Sequence, residues 1–98
     1  MSKIILSQKA SEQLEELKSD HAQVGVVNDI IKTLHFMEEN LRHPSLNTHE
    51  YKGSTGPNGE KLFEAYVEQK TPHAYRIFWY YGHEQETIIV TAIIPHPK

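Results

Sequence analysis

The chain contains no cysteine. That excludes disulfides, thiolate catalysis and any thiolate-ligated metal, and it fits a reducing compartment. No apolar run approaches the ~20 residues that span a bilayer. No charged-then-apolar leader with a small-residue cleavage site opens the sequence. These absences lead us to expect a cytoplasmic protein with no membrane partner. There is also no basic run. Ten Lys and Arg stand against 13 Asp and Glu, a net charge of −3 with histidines neutral, and the pI is near 6.1. A dedicated nucleic-acid binder ordinarily shows a basic balance or stripe. Glycine-rich phosphate loops, nucleophile elbows, internal repeats and low-complexity segments are absent too.

What is present is one domain. Its 98 residues, 38% hydrophobic and 9% aromatic, suffice for a single folded unit over 1–98 with a real core. Seven histidines are many for this length. Charging most of them near pH 6 reverses the sign of the net charge, which makes partner affinity pH-sensitive. The spacings His43 to His49 and His73 to His83 fit no ligand motif, so neither metal nor cofactor is expected.

Lys3-Ile4-Ile5-Leu6 is too short for a helix and rich in branched residues, hence a strand. Ser7 suits a helix N-cap. Ala10, Leu14 and Leu17 then recur at helical spacing over 8–18. Asp20 followed by Gln23 is a capping-box signature. Val24, Val27, Ile30, Ile31, Leu34, Met37 and Leu41 predict a second helix over 22–42, with Arg42 and His43 near its negative end and Pro44 closing it. So short a break between helices predicts an antiparallel hairpin. Residues 44–60 are rich in turn formers, with a short strand at Glu50-Tyr51-Lys52 and a turn at Gly56-Pro57-Asn58-Gly59. Three β-rich runs follow, over 61–68, 74–81 and 86–97. The stretches Gln69–His73 and Gly82–Gln85 separate them as turns, which predicts an antiparallel meander. The expected class is α+β: an N-terminal strand, an antiparallel helical hairpin, then the meander, with the helices on one face of the sheet.

Alternation along the strands sorts the residues by face. Phe63, Ala65, Val67, Ile77 and Trp79 form the most apolar set and belong under the helices. Glu64, Tyr66, Arg76, Tyr80 and His96 gather on the other face, left open or half open. In the last strand, Ile89, Thr91 and Ile93 separate from Ile88, Val90, Ala92, Ile94 and His96. An arginine between Tyr75 and Ile77 is costly unless paired or exposed. It suits an ion pair with Glu64 on the neighbouring strand as well as a ligand.

The strand, the helical hairpin, the turn-rich segment, Ala74-Tyr75-Arg76-Ile77-Phe78-Trp79-Tyr80 and the final Thr87-Ile88-Ile89-Val90-Thr91-Ala92-Ile93-Ile94-Pro95-His96 together resemble the RelE/ParE superfamily of bacterial type II toxins. The resemblance covers essentially the whole chain. It implies a toxin silenced by a cognate antitoxin that wraps it. For RelE-like members it implies an endoribonuclease that cuts mRNA at the ribosome. For ParE-like members it implies inhibition of DNA gyrase without such catalysis. Arg76 matches the family's strand arginine, which stabilises phosphate charge. His96 matches the place where some RelE-like members put a catalytic histidine. Glu64 and Tyr66 fall where several members carry lysine or arginine, and the acidic balance also departs from the pattern.

Cleavage through a 2′-hydroxyl needs a base, a cation beside the phosphate and an acid for the leaving oxygen. His96 can be acid or base. Glu64 can be the base, and Arg76 can grip phosphate. Tyr66 or Tyr80 can stack on a base, and Lys52 can touch phosphate from a loop edge. The catalytic set is therefore Arg76, His96 and Glu64. The substrate-binding set is Lys52, Tyr66 and Tyr80. The competing readings are a solvated terminus for His96, sheet packing for the tyrosines and a solvated side chain for Lys52.

Overall fold

A computed structural model describes residues 2–68 and 74–95. The order is β1 (Lys3–Leu6), α1 (Gln8–Lys18), α2 (Val24–Glu39), β2 (His49–Thr55), β3 (Lys61–Tyr66), β4 (Tyr75–Tyr81) and β5 (Thr87–Pro95). The five strands form one sheet in the order β1-β5-β4-β3-β2. β2 to β5 run as an antiparallel meander. β1 returns to the far edge and pairs parallel with β5, Ile4 opposite Ile88.

The start of α1 follows from Ser7, whose hydroxyl accepts the Ala10 N–H at 3.1 Å. Ala10 and Leu14 then turn inward. Asp20 also caps, but it holds a short 3₁₀ turn over His21–Gln23, accepting from Ala22 N–H at 3.0 Å. The α-helix therefore begins at Val24, two residues later than the expected start at 22. It also ends earlier, at Glu39, because Asn40 leaves the helical region. Arg42 and His43 lie beyond the helix, and His43 caps the 3₁₀ turn Pro44–Leu46 by accepting the Ser45 N–H. That turn drives Leu46 fully into the core.

The helices cover one sheet face. Ala10, Leu14, Ile30 and Met37 pack with Ala65, Ile77, Trp79, Ile88, Val90 and Ile93. Phe63 stacks on Trp79 at 4.9 Å. Val24 and Ile31, read from periodicity as part of the core stripe, are exposed. The 3.6-residue repeat carries them round to the solvent side of the stripe.

The expected faces of β5 need correction. The β4–β5 register shifts between Phe78, opposite Ala92, and Trp79, opposite Val90. Thr91 is the extra residue of this bulge, and a bulge reverses the alternation beyond it. Ile88, Val90 and Ile93 face the helices. Ala92 and Ile94 join Leu62, Phe78, Tyr51 and Tyr80 in a second, smaller cluster on the opposite face. The expected turn over 69–73 and the end of the last run, 96–97, lie outside the described residues.

Candidate functional site

The opposite face carries a line of four side chains from β2, β3 and β4. Strand alternation brings Glu64 and Tyr66 to this face of β3 and Arg76 to the same face of β4. Register decides which of them touch. Tyr66 stands opposite Arg76, and Glu64 stands opposite Phe78. The guanidinium therefore lies over the Tyr66 ring, 3.8 Å from its centroid. The ion pair with Glu64 that was the alternative reading of Arg76 does not form, because the two sit one cross-strand pair apart. Glu64 instead meets His49 of β2 directly opposite it, with Nε2 and Oε1 at 3.0 Å. His49 completes the line edge-on to Tyr66, at 5.6 Å and 72°.

His49 is the residue that strand-by-strand reading missed. Its other ring nitrogen, Nδ1, lies 2.9 Å from the Asn47 carbonyl oxygen. Asn47 holds that carbonyl in place from a left-handed conformation, φ 46°. Both ring nitrogens therefore face oxygen acceptors. His49 is half exposed while Glu64 is 1% exposed. The carboxylate thus orients an imidazole that solvent can reach. The available signal was slight: a histidine beside Glu50 in a weak strand, with its partner visible only once β2 and β3 are aligned.

Arg76 is 5% exposed. Its Nη1 donates to three backbone carbonyls: Glu68 at 3.1 Å, Ala74 at 3.0 Å and Tyr75 at 3.2 Å. One nitrogen thereby ties the chain leaving β3 to the chain entering β4. Among the described residues, no carboxylate lies within ion-pair distance of Arg76, and its Nε has no acceptor. A buried cation without a counter-ion is expensive and is ordinarily matched by an anion.

The other expected site residues are spread out. Tyr80 is half buried at the far end of β4, against the Leu62–Phe78–Ala92 cluster. Lys52 is exposed in the stretch of β2 where pairing to β3 is interrupted, between Tyr51 and Thr55. His96 lies outside the described residues. Among the described residues, no group of three or more His, Asp or Glu side chains is placed to hold a metal ion, and no helix is long and apolar enough to cross a membrane.

A groove of about 380 Å³ lies further along this face, lined by Tyr51, Leu62, Phe78, Ala92 and Ile94 among others, and Arg76 is not part of its lining. A larger pocket, about 680 Å³, lies elsewhere, between the end of α2 and the Phe63–Trp79–Tyr81 aromatics.

No protein-family model matches the chain, and no curated protein matches it in sequence. Solved structures match it over nearly its whole length. A YoeB/ParE toxin from Agrobacterium tumefaciens aligns with a TM-score of 0.71 at 12% identity, covering 97% of this chain and 99% of that one. A YoeB dimer from Staphylococcus aureus gives 0.65 at 13% identity, over 98% of each chain. RelE in the RelE–RelB complex of Pyrococcus horikoshii gives 0.64 at 12% identity, covering 96% and 93%. The strand, the helical pair and the four-stranded meander closed by a parallel edge are thus the fold that the YoeB/ParE and RelE toxins share.

Proposed function

We propose that this chain is the toxin of a type II toxin–antitoxin system and that it cleaves mRNA at the ribosome. The observation that carries this reading is Arg76, a buried guanidinium that, among the described residues, has no carboxylate at ion-pair distance and one nitrogen without an acceptor. Phosphate is the anion such a group would match. Access runs past the Tyr66 ring, which covers the guanidinium. The His49–Glu64 pair lies on the other side of that ring and supplies an oriented proton carrier.

The reaction moves one proton in and one out. A base takes the 2′-hydroxyl proton and the 2′-oxygen attacks phosphorus. The P–O5′ bond breaks, and the departing 5′-oxygen gains a proton. The products are a 2′,3′-cyclic phosphate and a 5′-hydroxyl. Arg76 offsets the charge that builds on the phosphoryl oxygens. His49, held by Glu64, carries a proton. His96 is the second proton carrier, and Lys52, Tyr66 and Tyr80 are the remaining substrate contacts. RelE of P. horikoshii was solved with RelB, and a comparable cognate antitoxin is the partner we assign here. The protein is assigned to the cytoplasm, where translating ribosomes are.

Purified protein added to translating ribosomes should produce mRNA fragments with 5′-hydroxyl ends. Arg76→Ala and His49→Gln should each reduce the cutting rate by about 10² or more, the range of one oxyanion-stabilising or acid–base group. Uncut mRNA with the unsubstituted protein would sink the nuclease reading. A second reading, gyrase inhibition without catalysis, is favoured by the net charge of −3 and by the three carbonyls that already hold Nη1. Growth arrest with intact mRNA and blocked supercoiling would establish it instead.

A further inference from the structure

We propose that the Tyr66 ring is a gate over Arg76, closed in the free protein and displaced when a phosphate enters. The proposal rests on the nuclease reading and says what moves for that site to work. The two halves of the site differ in access. The His49 ring is half exposed, whereas Arg76 is 5% exposed. A guanidinium so covered meets phosphate only after something leaves it. The arginine itself is fixed, since its Nη1 donates to the carbonyls of Glu68, Ala74 and Tyr75. The ring is held less firmly. Tyr66 is half-buried and belongs to neither apolar cluster, unlike Tyr51 and Tyr80. It is kept in place by the guanidinium over its face, 3.8 Å from the centroid, and by His49, edge-on at 5.6 Å and 72°.

A cation–π contact is a weak latch. It favours the closed ring by roughly tenfold, so the gate opens unaided in a minor fraction of molecules. Phosphate captures that fraction, and its apparent affinity is lowered accordingly. The latch is also electrostatic, because the π-face is attracted to positive charge. A phosphate that offsets the charge of Arg76 weakens that attraction, so bound phosphate keeps the gate open. One side chain makes both contacts. A ring that leaves Arg76 therefore leaves His49 as well. Filling the phosphate site frees the imidazole of the proton carrier in the same movement, and only with substrate present. Once displaced, the ring is available to stack on a base, the substrate contact already assigned to Tyr66.

Inorganic phosphate is the probe, because it has no base to stack. In the unsubstituted protein the Arg76 Nε–H and the His49 ring protons carry ring-current shifts from Tyr66. Both should lose those shifts together as phosphate is added, a readout that does not depend on any variant folding. Tyr66→Ala, which removes the gate, should bind phosphate about tenfold more tightly. Tyr81→Ala, which leaves the Tyr66–Arg76 contact untouched, should bind it as the unsubstituted protein does. Phosphate bound by Tyr66→Ala and not by the unsubstituted protein would also establish the gate. Phosphate bound with the Arg76 shift unchanged, or with affinity equal or lower in Tyr66→Ala, overturns the gate and leaves the phosphate reading standing. A shift lost at Arg76 but kept at His49 overturns the joint release. Phosphate bound by neither protein overturns both the gate and the phosphate reading.

Discussion

Ser7 uses one hydroxyl twice. It accepts the Ala10 N–H at the start of α1 and donates to the Thr91 carbonyl of the β5 bulge at 3.2 Å. Ser7→Ala should therefore cost about 1–2 kcal/mol, the value of a cap plus a partly buried hydrogen bond, measured by urea unfolding. The cap was legible because it is local. The bond to Thr91 was not, because 84 residues separate the partners. Arg76 shows the same limit. Its face was readable from alternation, but its contacts depended on register, which placed Tyr66 and not Glu64 opposite it. Arg76→Lys keeps the charge but shortens the side chain by one bond, so its amine does not reach the carbonyls that Nη1 holds on both sides of the β3–β4 connection. The Val67 amide, which donates to the Tyr75 carbonyl at 3.2 Å, should then exchange with solvent at least tenfold faster. Glu60 carries a pH signature. Its carboxyl is held below the ordinary value of 4.5, chiefly because it accepts the Asn58 N–H. A lowered folded pKa gives a contribution that is complete above the ordinary value and is lost as pH falls through the folded one. Acidification should therefore release the Asn58 amide, read as faster exchange, while neutral and mildly alkaline pH leave it unchanged.

At the scale of elements, the bulge at Thr91 has the largest effect. It lets a single strand bury Ile88, Val90 and Ile93 under the helices while offering Ala92 and Ile94 to the groove. Sequence alternation alone assigns those residues to the wrong faces, because nothing in Val90-Thr91-Ala92 announces an extra residue. The edge strand β2 has its own constraint. A methyl added at Gly53 would come within 2.5 Å of the Tyr51 hydroxyl oxygen. Gly53→Ala should push Tyr51 off Phe78 and open the groove, visible as a changed ring-current shift on Phe78 with little loss of stability. The 3₁₀ turn after α2 matters more for stability. Leu46 is fully buried there, and Leu46→Ala should cost about 2–5 kcal/mol in chemical unfolding. That turn was foreshadowed only as a loop opening on Pro44, since three residues leave no period to detect.

For the whole molecule, the proposed RNA binding has to work against a net charge of −3. With Arg76 and Lys52 as the proposed phosphate contacts, affinity for single strands should fall with salt with a log–log slope of about −1.4, taking −0.7 per contact. The architecture itself was largely legible: two helices from their periodicity, and three strands from β-rich runs between turns. The position of β1 was not, because a four-residue strand carries no information about which edge it joins. That edge has a consequence for the order of synthesis. β1 is the first of these elements to leave the ribosome, and its partner β5 is the last. Until β5 emerges, Ile4 and Leu6 have no strand to join and the helical pair has only part of its sheet to cover. The core therefore cannot close before β5 emerges, and the Arg76 site, which needs β3 and β4 aligned, cannot form before β4 does.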